Sequence, residues 1–209
     1  MKELSAVDQA YYGIIDLVLS RGLRPGERTS VYLLADRLKI GRTPVREAIN
    51  RLQSEGFLSV AGRSGTVVNP IEHDQARQLF ALRSTLETFA AQYAVENVTD
   101  ADLMDLSRGV ERLGDAGSSS DFVRANTDFH SAIVALAGNP TLSRFYAQLQ
   151  IQFHVVSYLA ERGANPAAAE IRQREHQDIL NALRSRDAVA LAKALQAHIR
   201  TTEIALLGS

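Results

Sequence analysis

Two sets of side chains in this 209-residue chain combine residue type and spacing in ways that could do chemistry. The first lies in Gly41-Arg42-Thr43-Pro44-Val45-Arg46-Glu47-Ala48-Ile49. As a helix, this run places Val45, Ala48, Ile49 and Leu52 at i, i+3, i+4 and i+7 on one inward stripe, and leaves Arg42, Thr43, Arg46 and Asn50 projecting elsewhere. Guanidinium, hydroxyl and carboxamide groups suit phosphate oxygens and base edges, so the chemistry is recognition of double-stranded DNA. Thr43 is expected to cap this helix and Pro44 to occupy its first position, where a missing N–H is harmless. Taken alone, Arg46 reads equally as an exposed charge paired with Glu47 or Asn50.

The second set is three histidines on apolar stripes. His130 shares one with Phe122, Asn126, Val134 and Ala137, His176 with Ile179, Leu180 and Leu183, and His198 with Leu191 and Leu195. Buried imidazoles need partners, and convergence on one metal ion satisfies all three together. Asn126 lies one turn before His130, so its carbonyl oxygen can join the same face. Any one of the three, considered singly, reads as a separately satisfied core histidine. Arg83 is a candidate anchor for a carboxylate, since a guanidinium grips one through two hydrogen bonds. An i,i+4 surface pair with Glu87 is the equal alternative. His73 and His154 fit no shared pattern and are taken as structural or solvent-facing.

These groups must be positioned by two differently built segments. Residues 1 to 70 hold ten Lys/Arg against seven Asp/Glu, and the remainder thirteen against seventeen, giving +3 and −4 within a net charge of −1. A modestly basic reading head on an acidic body fits that split. In the head, residues 7 to 20 form an amphipathic pattern on Tyr11, Ile14, Ile15, Val18 and Leu19, with Gly22 where the helix should stop. Arg24-Pro25-Gly26-Glu27 fits a tight turn. A short second helix follows, capped by Thr29 or Ser30 and buried through Leu33, Leu34 and Leu38. After Gly56, Phe57–Val60 and Thr66–Val68 are β-prone runs flanking Ala61-Gly62-Arg63-Ser64-Gly65, a hairpin. Three helices and a hairpin describe a winged helix-turn-helix, whose third helix enters the major groove.

Beyond Pro70 the pattern is helical, with helices expected near 72–96, 100–114, 119–137, 140–162, 167–185 and 187–206. Gly117-Ser118-Ser119-Ser120, Gly138-Asn139-Pro140 and Gly163-Ala164-Asn165-Pro166 supply the breaks. The expected fold class is therefore mainly α, a winged head over 1–70 and an all-α helical bundle over 71–209. Without cysteine there are no disulfides or thiolate metal sites. No apolar run reaches the roughly 18 residues of a membrane span, and the polar start is unlike a secretory signal, so a cytoplasmic protein with no membrane partner is expected.

On these residues the head resembles the GntR-type winged helix. Its signature is close to Ser-Arg-Thr-Pro-Val-Arg-Glu-Ala-Leu, matched here by Arg42 through Ala48, with Arg51-Leu52 and Glu55-Gly56 following at the expected spacing. Gly62-Arg63-Ser64-Gly65-Thr66 resembles the wing tip. The resemblance implies that Arg42 and Arg46 read bases and phosphates, with Thr43 and Arg63 assisting; Asn50 and Ser64 complete the candidate DNA-binding set. Gly41 replaces a common Ser or Thr, and Tyr32 replaces an arginine that reads DNA in some members. The helical remainder resembles the FCD-type effector domain of the FadR subgroup. That likeness implies a divalent metal on Asn126, His130, His176 and His198, zinc first with nickel or manganese as alternatives; Asn126 stands where Asp is more usual. It also implies a ligand-responsive transcription regulator, expected to be a repressor and not an enzyme. A homodimer on a pseudo-palindromic operator is expected, with a small carboxylate effector between the metal and Arg83. A body that only dimerises and binds no metal is the alternative, and a metal-dependent hydrolase a remote one, since no His-Glu-x-x-His glutamate is placed as a base.

Overall fold

The computed structural model describes residues 4–61, 65–70, 72–116, 119–160 and 166–208, in two compact units, 1–72 and 73–209. In the first unit, α1 (Ala6–Leu19) starts on Ser5, whose Oγ accepts the Asp8 N–H at 3.1 Å. It buries Ala10, Tyr11, Ile14, Ile15, Val18 and Leu19, every third or fourth residue, against α3. Gly13 lets α2 approach, because a Cβ there would stand 2.9 Å from Leu38 Cδ2. The helix ends earlier than Gly22. Arg21 takes the left-handed conformation at φ 61°, and the Leu23 N–H closes the end on the Leu17 carbonyl at 2.8 Å.

The Arg24–Glu27 turn forms as read: Glu27 N–H donates to the Arg24 carbonyl at 2.9 Å, and Gly26 sits at φ 82°, the positive value the third position requires. It feeds a strand that periodicity could not reveal, β1 (Arg28–Thr29), because two residues carry no alternation. Ser30, not Thr29, caps α2 (Val31–Leu38). Thr29 is committed to the sheet opposite Thr66. Leu34 is fully buried, but Leu33, expected inside, is 51% exposed.

Helix α3 runs Arg42–Ser54 with Gly41 as its N-cap and no side-chain cap, so Thr43 does not cap it and Pro44 is its third residue. The shift is tolerated because Pro44 still falls among the first turn's N–H groups, which have no intrahelical acceptor. Strands β2 (Leu58–Ala61) and β3 (Gly65–Val68) pair antiparallel from Leu58↔Val68 to Ala61↔Gly65. With β1 on the other side of β3, the wing is one edge of a three-stranded sheet ordered β1-β3-β2.

The described residues of the second unit form α4 (His73–Asn97), α5 (Asp100–Gly114), α6 (Ser119–Leu136), α7 (Pro140–Ala160), α8 (Pro166–Arg184) and α9 (Ala188–Leu207). Their ends are chemically marked. Thr99 and Asp102 make a reciprocal capping box on α5, Asn139 Oδ1 accepts two N–H groups of α7, and Asp187 caps α9. Arg186 donates to the Val95 and Val98 carbonyls at 3.1 and 2.7 Å, satisfying the C-terminal end of α4. Helix α4 lies against α6 and α9, with Ala90, Ala91 and Ala94 permitting close packing. Ile133, Ile179, Leu180, Leu183, Leu191 and Leu195 are the centre of the core. The fold is mainly helical, with a small sheet in the first unit.

Candidate functional site

On α3 the inward stripe and the outward face separate as the spacing requires. Val45, Ala48, Ile49 and Leu52 are buried, while Arg42, Thr43, Arg46 and Asn50 are exposed. Arg42 is held from α2, its guanidinium carbon 4.9 Å from the centre of the Tyr32 ring. Arg63 and Ser64 lie outside the described residues. Arg51, on the same helix, is structural: it lies over the Tyr11 ring at 3.9 Å and pairs with Glu55 at 3.0 Å and Asp8 at 3.4 Å. Burial first, then Glu55, pushes the Tyr11 phenol far above its ordinary range, so it stays the donor to Glu55 Oε2 at 2.7 Å.

In the second unit α6, α8 and α9 bring His130, His176 and His198 together, each at most 2% exposed, with ligand atoms within 4.8 Å of one another. Among the described residues these three histidines form the group that could hold a metal ion. The ring centres of His176 and His198 are 4.4 Å apart, and Phe129 lies edge-on to His130 and His176. Each Nδ1 is already engaged. His130 faces Glu87 Oε2 at 2.9 Å, His176 the Arg172 carbonyl at 2.7 Å, and His198 Glu175 Oε2 at 3.0 Å. An acceptor at Nδ1 fixes the proton there and turns Nε2 toward its neighbours as a lone pair.

Burial is the main force holding all three rings neutral. It lowers His130 against the opposing pull of Glu87, and lowers His176 and His198 well below the ordinary value, with the neighbouring rings and Arg83 adding to it. Two features test the fit of a metal. His130 Nε2 is a buried ring nitrogen with no hydrogen-bond partner, and Asn126 Oδ1 lies 2.8 Å from His176 Nε2, so an oxygen joins the nitrogen set. Three neutral imidazoles and one amide oxygen suit a borderline divalent ion, and a further ligand can join where that ion takes five or six. His73 is exposed; the side chain of His154 lies outside the described residues.

Arg83 is not the surface half of an i,i+4 pair. It is 2% exposed, and its Nε donates to Glu87 Oε1 at 2.6 Å. The same Oε1 accepts from the Tyr146 hydroxyl at 2.6 Å. Burial alone would raise the Glu87 carboxyl, but Arg83 and then His130 hold it far below the usual carboxylate range. A small cavity opens beside these groups, lined by Arg83, Asn126, Thr127, His130, Tyr146 and Gln150. Three participants escaped the sequence reading: Glu87 as a buried partner, Glu175 and Tyr146. For Glu87 a signal existed, since Arg83 and Glu87 continue the stripe of Ala76, Leu79, Phe80, Ala90, Ala91 and Ala94. Glu175 offered none.

Two family models match the chain: bacterial regulatory proteins of the gntR family over residues 6–68, and the FCD domain over residues 78–201. The chain is 30% identical to the HTH-type transcriptional regulator McbR of Escherichia coli (strain K12) over 210 residues, covering 99% of this chain and 95% of McbR. It is 29% identical to the Nta operon transcriptional regulator of Aminobacter aminovorans, covering 80% of this chain and 91% of the relative. The solved structure of E. coli McbR/YncC superposes with a TM-score of 0.82 over 98% of each chain at 29% identity. No described helix is long and apolar enough to cross a membrane. The chain belongs to the gntR family of bacterial regulatory proteins and carries an FCD domain: it is a DNA-binding transcription regulator, not an enzyme.

Proposed function

We propose that the protein is a ligand-responsive repressor of the FadR type, working in the cytoplasm as a homodimer on a pseudo-palindromic operator. Residues 1–70 are the reading head. Arg42 and Arg46 contact bases and phosphates, with Thr43, Asn50, Arg63 and Ser64 assisting, and the exposure of the four on α3 opposite a buried stripe supports this. Residues 71–209 carry the effector site and the dimer contacts. The observation that carries the effector reading is the buried, partnerless His130 Nε2 beside two further neutral imidazoles, Asn126 and a cavity reached by Arg83.

Asn126, His130, His176 and His198 would hold the divalent ion, zinc ahead of nickel or manganese. When bound, the ion supplies a Lewis-acid anchor for an effector carboxylate. The chain's own residues do the rest. Arg83 offers the second anchor for that carboxylate; Thr127, Tyr146 and Gln150 line the same cavity, which is about the size of one water molecule, so the remainder of a larger effector must displace these side chains. Coupling between effector and operator is about 1 to 3 kcal/mol for sites of this kind, and it is reciprocal. Elemental analysis of untagged protein tests the site: about one ion per chain is expected, lost in His130→Ala, His176→Ala. Metal-free parent that takes up neither zinc nor nickel would remove the metal from this account. Operator titration by fluorescence anisotropy, with a panel of small acids in the presence and absence of chelator, tests the response.

A further inference from the structure

Glu87 is fully buried on α4, does not itself line the cavity, and touches three residues that do. Its two oxygens face different ways in function. Oε2 is 2.9 Å from Nδ1 of His130, and Oε1 accepts hydrogen bonds from the Arg83 Nε–H and the Tyr146 hydroxyl, each at 2.6 Å. One carboxylate therefore ties α4, α6 and α7 together, with a metal-site imidazole on one oxygen and two cavity side chains on the other.

We propose that Glu87 is a positioning residue that relays the load on Arg83 and Tyr146 to His130, and so links the carboxylate anchor to the metal site. This rests on the metal and effector reading above. A carboxylate shares its acceptor strength among its donors. The more firmly Oε1 is held, the less Oε2 draws on the Nδ1–H of His130, and the weaker a donor Nε2 becomes. An anion received by Arg83 shifts guanidinium charge away from Glu87, strengthens the Oε2 contact and makes His130 a better ligand. By reciprocity, a metal ion on His130 favours the anion on Arg83. A carboxylate serving only as structural mortar would respond in one direction to every perturbation. A relay responds in opposite directions at its two ends.

The test is cobalt(II) affinity of the full chain, read from its visible absorption, for the parent, Glu87→Gln and Tyr146→Phe. Removing the carboxylate weakens cobalt binding about tenfold or more, in the range for lost partners of metal-site histidines. Removing the tyrosine donor unloads Oε1 and tightens binding by about twofold or more. Loss of affinity in both variants, or no change in Glu87→Gln, overturns the relay. If Glu87→Gln does not fold, as judged by circular dichroism, the sign of the Tyr146→Phe change decides alone. Sodium acetate, compared with sodium chloride at equal ionic strength, is expected to move the parent as Tyr146→Phe does and to move Glu87→Gln less, by direct ligation to the ion alone. An equal acetate response in Glu87→Gln overturns the proposal, because direct ligation of acetate to the ion survives without Glu87; so does a parent indifferent to acetate. A parent that takes up no cobalt overturns the metal reading itself, whereas cobalt uptake insensitive to Glu87 overturns only the relay.

Discussion

Nε2 of His176 stands 2.8 Å from Oδ1 of Asn126, while the other nitrogen of the ring lies 2.7 Å from the Arg172 carbonyl. Both ring nitrogens thus face oxygen acceptors, yet burial and the neighbouring histidines hold His176 well below its ordinary pKa, where it carries one proton. A neutral ring satisfies one of the two oxygens. Two arrangements remove the conflict: the Asn126 amide turned so that its NH2 donates to Nε2, or a cation that takes the Nε2 lone pair and the amide oxygen together.

Asn126→Asp is therefore expected to raise zinc affinity at least about tenfold, since a carboxylate contributes charge where the amide contributes only a dipole. Competition with a chromophoric chelator measures it. Without metal the same variant should lose stability, because a buried carboxylate replaces a neutral amide at a site with 8% exposure. An Asp variant binding zinc no better than the parent would place Asn126 outside the ligand set.

Acidification should destabilise the metal-free protein in a defined direction. His130, His176 and His198 have folded pKa values lowered from 6.5. Below that value the unfolded chain binds protons that the folded chain does not, so stability is full above it and falls as pH drops. The slope is at most about 1.4 kcal/mol per pH unit for each histidine. Glu87, depressed from 4.5, adds a second loss in the same direction at lower pH. Urea midpoints in chelator at about pH 7.5 and about pH 5.5 check this, and a midpoint that rises on acidification would contradict the buried neutral assignment.

Arg46→Ala should weaken operator binding by about 1 to 3 kcal/mol and reduce its salt dependence if the side chain meets phosphate. Tyr32→Ala removes the ring over which Arg42 rests at 4.9 Å. A loss of about 0.5 to 1 kcal/mol is expected there, the scale of an exposed cation–π contact. Anisotropy titrations at two salt concentrations report both, and parental affinity in Arg46→Ala would remove α3 as the reading helix.

Tyr11→Phe tests the internal staple of the head. The hydroxyl donates to buried Glu55 over a sequence separation of 44 residues. Its removal leaves Arg51 as partner at 3.0 Å, so about 1 to 2 kcal/mol of stability should be lost without change in operator specificity. Denaturation midpoint and binding-site selection read the two effects separately.

What the sequence alone determined is what local periodicity encodes. A helix repeats every 3.6 residues, so the stripe of Val45, Ala48, Ile49 and Leu52 and the inward turn of His130, His176 and His198 follow from spacing, and both are buried. The Pro25-Gly26 turn is equally local, because its backbone demand falls on one glycine. Tertiary structure alone decided which groups meet. Glu87 reaches His130 across 43 residues and Tyr146 across 59, Glu175 reaches His198 across 23, and Thr29 finds Thr66 through a two-residue strand. The same assembly decided that the Arg83–Glu87 pair, legible as an i,i+4 spacing, is buried and not on the surface. Spacing tells each side chain which way to face along its own helix, but hydrogen-bond partners are chosen by how the helices pack, and no single stretch of chain contains that information.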